Sequence, residues 1–349
     1  MSRTVETHGG SNVIFIACQP RSGSTMLQRM LGGHDEIYTT SEPWVMLPGA
    51  FSLRDDGRSR YNSSIANKAI ESFSTEALDG REEYIRLLRN HYTSIYNRAL
   101  ENRGETYFLD KTPRYYYILK EIEKILPNSK IILLVRNPVS VLSSIINRWV
   151  GNRWLNLKNF KDDIFRAPKN IAYANKNLKN TTLVRYEDLI VNTEKNLGRI
   201  LQFCGLPEEE GLKYYGDESM DEWRLGDKNM VYEKNKPVRS TLGKWKNVSS
   251  AQEWRVLWDY ANKVDKKVIK EFGYNIDKIK ASLNEIKPKK PYSASTIPLN
   301  FILEDIKVER RFRKHYLSIL DILHKKGITG ASAYVVRKVY SFLQKIAGK

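Results

Sequence analysis

The chain has 349 residues, 41% hydrophobic and 28% charged, which is ordinary for a soluble globular protein and long enough for one large α/β domain or two smaller ones. Its two cysteines, Cys18 and Cys204, exclude a disulfide framework or a cysteine metal cluster and make a reducing compartment the default. The net charge of +18 calls for a polyanionic partner (nucleotide phosphates, an acidic or sulfated polymer, nucleic acid or an anionic membrane) or, more blandly, a solvated basic surface. Met1 to Asn12 is polar, without an apolar signal core, and no apolar run approaches the ~20 residues that span a bilayer. A cytoplasmic protein is the expectation, with peripheral membrane contact as the variant.

Val13-Ile14-Phe15-Ile16-Ala17 reads as a buried strand, and Cys18 beside it as a packing residue. The loop Gln19 to Thr25 follows. Met26, Leu27, Met30 and Leu31 then repeat at helical spacing until Gly32-Gly33, with His34 expected to cap that end. Trp44 to Asn67 reads as irregular, and about Ile70 to Leu100 as helical. Thr106 to Leu109 is a second strand, ending in Asp110-Lys111-Thr112-Pro113, and a helix from about Tyr115 to Leu126 follows. Ile131 to Val135 is the clearest strand; Asn137-Pro138 then opens a helix with Asn as cap and Pro at its first position. Thr181 to Tyr186 is a fourth strand, and Glu187 to about Phe203 is helical, stopped by Gly205-Leu206-Pro207.

Strands alternating with helices predict a central parallel sheet with helices on both faces. Such sheets bind ligands beyond the carboxyl ends of their strands. Arg21, Lys111, Arg136 and Arg185-Tyr186 stand at those ends, so four cations from four strands would share one edge. The expected division is a catalytic domain over 1–286 and, over 287–349, a basic linker plus a helical appendage. That tail holds fourteen Lys/Arg against four Asp/Glu, a net of +10.

A strand, a tight Gly/Ser loop and a helix N-terminus together make an anion site, because backbone N–H groups and the helix dipole both favour negative charge. Ser22, Ser24 and Thr25 add hydroxyl donors around Gly23, and Arg21 adds a fork suited to phosphate or sulfate oxygens. The loop lacks the Gly-Lys-Ser/Thr of NTPases. Val135-Arg136-Asn137-Pro138, with Ser144 eight residues after Arg136, is a second candidate element; eight helical residues span ~12 Å.

Gln19-Pro20-Arg21-Ser22-Gly23-Ser24-Thr25, Arg136-Asn137-Pro138 with Ser144, and Arg185-Tyr186-Glu187-Asp188-Leu189 together resemble the sulfotransferase superfamily over about residues 12 to 250. The likeness is nearest to its bacterial, glycan-modifying and tyrosylprotein-type branches. The resemblance implies an α/β sheet related to P-loop nucleotide kinases. It also implies 3′-phosphoadenosine 5′-phosphosulfate (PAPS) as donor, 3′-phosphoadenosine 5′-phosphate (PAP) as product, and no metal. It puts the 5′-phosphosulfate loop on Arg21 to Met26, the 3′-phosphate contacts on Arg136 and Ser144, and Tyr186 near the adenosine. Lys236 to Trp245 is similar to the segment that folds over the cofactor, with Arg239 added to the 3′-phosphate site and Lys244 reaching the phosphosulfate. Gly243 stands where the tyrosylprotein branch has a serine, which leaves that contact open. Ser41-Glu42-Pro43-Trp44 matches those branches' glutamate base, and Lys111 their catalytic lysine. Beside these roles, Glu42 has a plainer reading as the partner of a loop arginine such as Arg54. None of the five histidines occupies the place of a histidine base.

The acceptor is expected to be a glycan or small molecule: Trp44 to Asn67, Arg148 to Phe165 and Tyr214 to Tyr232 are rich in groups that stack and hydrogen-bond. A carbohydrate or glycoconjugate hydroxyl is the first expectation and a specialised metabolite the second. Nucleic acid is not expected, because the basic residues mark strand ends and the tail. A kinase or NTPase, and an inactive polyanion-binding module, are the readings from other classes. Residues 300–349 carry apolar helical faces beside Arg310, Arg311, Arg313 and Lys314, which suit packing, a homodimer or an anionic membrane.

Overall fold

A computed structural model describes residues 9–54, 63–215, 236–288 and 296–303. The chain forms two compact units, Met1–Asn137 with Arg166–Leu242, and Pro138–Phe165 with Gly243–Lys349.

The first unit is built on β1 (Val13–Cys18), β2 (Ile37–Thr39), β3 (Tyr107–Lys111), β4 (Lys130–Val135) and β5 (Thr181–Arg185). All neighbours are parallel, in the order β2-β3-β1-β4-β5. The expected parallel sheet flanked by helices is therefore present. β1 is buried at every position because both of its faces are covered, and a continuous apolar run is what such a strand requires. Ile14, Ile16 and Cys18 join a core with Leu27 and Met30 of α1 (Ser24–Gly32) and with Ile200 and Leu201 of the helix Thr193–Cys204. Phe15 faces the other way and meets the edges of Tyr96 and Tyr115, at centroid distances of 6.1 and 5.8 Å.

Several elements differ from expectation. β2 is too short for its alternation to show; β3 holds it, through Thr106 and Tyr107 N–H to Glu36 C=O at 3.1 and 2.9 Å. The stretch read as irregular contains the helix Met46–Phe51 and the start of Ser63–Ala77. The single helix read from Ile70 to Leu100 is two, broken at Gly80 (φ +88°) before Arg81–Leu100. The helix after β5 breaks at Asn192 and stops, as expected, at a left-handed Gly205. His34 does more than cap α1: its Nδ1 accepts the Glu36 N–H at 3.0 Å, so Nε2 carries the proton donated to Pro207 C=O at 3.1 Å.

The second unit centres on the helix Ala251–Lys263. Ser250 Oγ accepts the Glu253 N–H at 3.1 Å, and the Glu253 carboxylate accepts the Ser249 N–H at 2.9 Å and the Ser249 hydroxyl at 2.7 Å. Its other oxygen accepts Ser143 Oγ at 3.0 Å and Asn147 Nδ2 at 3.1 Å. One buried carboxylate thus ties this helix to Pro138–Ile145 and the π-helical turn Ile146–Val150. Trp254 stacks on Trp258 and donates Nε1–H to Leu283 C=O at 2.8 Å. Gln252 grips Ile297 by both its C=O and its N–H, so the end of the expected linker returns to this helix. Of the helical appendage expected over residues 300–349, only the start is described, in the helix Leu299–Leu303; the rest lies outside the described residues. Among the described residues no helix is long and apolar enough to cross a membrane.

Replacing Glu253 by Ala leaves the buried Ser143 hydroxyl without its acceptor and frees the exposed Asn147 and Ser249 donors, and is expected to destabilise the fold by about 1–3 kcal/mol in urea unfolding. Glu253→Gln keeps one acceptor and is expected to cost less.

Candidate active site

Between β1 and α1 the backbone turns through two left-handed residues, Arg21 (φ +74°) and Gly23 (φ +94°). Gly23 is required twice over, since a Cβ there would also lie 2.4 Å from the Tyr186 ring. The first bond of α1 runs from Leu27 N–H to Gly23 C=O at 3.2 Å, so the amides of Ser24, Thr25 and Met26 precede its ladder, and no side chain caps them. The Ser22 hydroxyl is buried without a hydrogen-bond partner. Donors at a helix N-terminus beside an unpaired buried hydroxyl fit an anionic group.

Arg136 leaves the end of β4 and donates Nη1–H to Arg21 C=O at 3.0 Å. Its guanidinium lies 4.3 Å from the Tyr186 ring centroid, and its buried Nε has no partner. Glu187 accepts the Asn137 N–H at 3.0 Å and so fixes the turn that carries Arg136. Tyr186 is buried beneath the loop, and its hydroxyl donates to Thr241 Oγ1 at 2.8 Å. One ring therefore supports Gly23, Arg136 and Thr241. Arg239 is exposed and donates to Val191 C=O at 3.4 Å. Ser144 and Lys244 belong to the second unit: Ser144 is half-buried on Pro138–Ile145, and Lys244 is exposed just after Gly243 (φ +74°).

Across the edge formed by the strand ends, Lys111, Arg21, Arg136 and Arg185 follow the order β3, β1, β4, β5. Lys111 is still within β3, paired with Ile16, and has no exposed surface. Its ammonium donates to Glu42 Oε1 at 2.8 Å; Glu42 is 17% exposed, and its Oε2 accepts Trp44 Nε1–H at 3.2 Å. Arg54 instead lies 3.9 Å from Glu121, so the plainer partner for Glu42 is not the one it takes.

Behind this pair is a network that sequence reasoning did not single out. Asp110 precedes Lys111 and points to the opposite face, beside Phe15. It accepts hydrogen bonds from Tyr96 at 2.8 Å, Tyr115 at 2.9 Å and Thr112 at 2.9 Å. Burial pushes its carboxyl up from the usual 3.8 to about 6, against the opposing pull of these three donors and of Lys111. The sequence signal was confined to Thr112 and Tyr115, close after the acid; Tyr96 lies fourteen residues before it. Cys204 is inert by the same physics, its thiol pushed up to about 12 by burial.

A lysine–glutamate pair and a loop with open donors stand at one edge of a parallel sheet, where such sheets bind their ligands. This chain belongs to the sulfotransferase family, whose model matches residues 13–210. Nodulation protein NoeE of Sinorhizobium fredii is 26% identical over 75% of this chain and 66% of its own length. Protein-tyrosine sulfotransferase A of Caenorhabditis elegans is 26% identical over 59% of this chain and 53% of its own. The chain thus spans about half to two thirds of these curated relatives. Among solved structures, the sulfotransferase domain from the curacin biosynthetic pathway aligns with 76% of this chain and 98% of its own, at 21% identity and a TM-score of 0.48.

The raised carboxyl of Asp110 has a definite sign in stability. The folded chain holds that proton more tightly than the unfolded chain does, so the contribution is full below about pH 4 and is lost as pH rises through about 6. In urea titrations Asp110→Asn is expected to lack this fall and to gain about 3 kcal/mol on the parent across that window, at 1.36 kcal/mol per pKa unit.

Proposed function

We propose that this chain moves a sulfuryl group from PAPS to a hydroxyl or amine of an acceptor, releasing PAP. The observation that carries this reading is the Lys111–Glu42 pair, one strand away from the anion-holding loop in a chain of this family. PAPS, when bound, supplies an electrophilic sulfur and a phosphate leaving group. Glu42 accepts the acceptor's proton as general base. Lys111 positions Glu42 through their ion pair and has the charge to stabilise negative charge growing beside the loop, together with Arg21. Ser22, Gly23, Ser24, Thr25 and Met26 hold the 5′-phosphosulfate through hydroxyl and backbone donors. Arg136, Ser144 and Arg239 serve the 3′-phosphate, Lys244 the phosphosulfate, and Tyr186 the adenosine side from beneath the loop. The unpaired Ser22 hydroxyl and Arg136 Nε support the anion assignment, since both are donors awaiting oxygen atoms.

For the acceptor we propose a carbohydrate or glycoconjugate hydroxyl, supported by Trp44 at the base and by the Trp, Tyr, Arg and Asn content of the expected walls, with a small metabolite as the variant. The names of several curated relatives favour a second reading, the phenol of a protein tyrosine. A panel of glycans, tyrosyl peptides and small phenols incubated with sulfur-labelled PAPS separates these.

Glu42→Gln is expected to leave PAP affinity unchanged and to cut turnover by ~10²-fold or more. Turnover within a few-fold of the parent removes Glu42 from the base role. Arg136→Ala is expected to weaken PAP binding by about tenfold or more in calorimetry, the loss of a charge-assisted contact. Binding of Mg-ATP with no binding of PAP replaces the sulfotransferase reading with a kinase one.

A further inference from the structure

Glu42 lies outside regular structure, between β2 and the helix Met46–Phe51, and its ion pair alone does not explain how the loop holds its shape. Trp44 in that loop has φ +59°, a left-handed backbone that a tryptophan adopts only when it is held there. Two backbone amides show what holds it. Trp44 N–H donates to Thr112 Oγ1 at 3.3 Å, and Met46 N–H donates to Tyr115 Oη at 3.1 Å. Both hydroxyls in turn donate to Asp110, Thr112 to one oxygen and Tyr115 to the other.

We propose that Asp110 is a positioning residue for Glu42, acting through two hydroxyl relays that fix the backbone of residues 42–46. An ionised carboxylate only accepts. It therefore compels Thr112 and Tyr115 to turn their protons toward it. Each hydroxyl then presents a lone pair to the loop amide on its other side. A neutral group at position 110 no longer dictates that orientation, and the relays lose their direction. The β3 backbone supplies the geometry: Asp110 and Lys111 are consecutive, so one side chain anchors the loop from behind while the other meets Glu42 from the front. Tyr96 provides an internal control. It donates to the same Asp110 oxygen as Tyr115 does, at 2.8 Å, but no hydrogen bond links it to residues 42–46.

This inference rests on Glu42 being the base of the proposed transfer, and the test separates the two. The full chain and its Asp110→Asn, Thr112→Val, Tyr115→Phe and Tyr96→Phe variants are compared by kcat, by PAP affinity and by amide exchange of peptides covering residues 42–46. Asp110→Asn, Thr112→Val and Tyr115→Phe are expected to lower kcat by ~10- to 100-fold, the scale for a misplaced catalytic group, with PAP affinity unchanged. Thr112→Val is expected to speed exchange at Trp44, and Tyr115→Phe at Met46, by about tenfold each because that amide loses its acceptor, and Asp110→Asn at both because the hydroxyls are no longer oriented towards them. Tyr96→Phe is expected to stay within about twofold of the parent in both measurements. Equal damage from Tyr96→Phe and Tyr115→Phe overturns the proposal, as does normal kcat and exchange in Asp110→Asn. If Asp110→Asn does not fold, the contrast between the two tyrosines decides. The exchange readout needs no turnover: if Glu42→Gln is fully active, the base reading fails and exchange alone judges the anchoring of the loop.

Discussion

A fully buried ammonium cannot stand alone. Moving an isolated charge out of water costs several kcal/mol or more, and Lys111 has no exposed surface. Glu42 is its counter-ion, and Glu42 arrives on a segment with no ladder of its own. Much of the first unit follows from that requirement. The segment must be pinned at Trp44 and Met46, the pins need oriented hydroxyls, and the hydroxyls need a buried acid behind them. A sheet covered on both faces is what lets two adjacent residues of β3 serve the front and the back of one loop. The approach of α1 is fixed likewise: Gln28 donates to Thr39 Oγ1 and to Thr40 C=O, and Thr39 donates to Leu109 C=O, joining helix, β2 and β3 just ahead of Glu42.

The loop at the end of β1 follows a different logic. Glu42 and Lys111 satisfy one another, whereas Ser22 and Arg136 keep buried donors open. Open donors are costly inside a protein unless a ligand meets them. The Tyr186 ring bears that arrangement by filling the space a side chain at position 23 would need and by lying under the Arg136 guanidinium. The proposed cofactor and base sites are thus preorganised by separate means, meeting at the edge where β1 and β3 lie side by side.

Much of this was legible in the sequence. β1 and β4 are continuous apolar runs, and only a doubly covered parallel strand needs one. Arg21 and Arg136 were legible as an edge because each follows such a run, and Lys111 and Arg185 because each stands at the end of a shorter expected strand. β2 was not legible, since three residues cannot display a period of two. The helix Met46–Phe51 was hidden behind Pro48 and Gly49 in its own span; Tyr92 holds it by accepting the Gly49 N–H at 2.9 Å. The Asp110 network was hidden for another reason: Tyr96 and Tyr115 look like ordinary core aromatics, and only the fold shows their hydroxyls converging on one carboxylate. Tyr186 was singled out through its motif, but its place beneath the loop depends on a glycine elsewhere in the chain.

The strand order has a consequence for how the molecule comes into being. β1 is the first strand in the chain and lies at the centre of the sheet, and its neighbours β3 and β4 follow only after about a hundred residues. During synthesis the loop after β1 emerges early but has nothing to lie against. Its strand stays unpaired until Lys111 has left the ribosome and keeps one edge open until Val135 has, and Tyr186, which props the loop, comes later still. This loop is therefore made before every element that locks it, which leaves the nascent chain dependent on protection of that one strand.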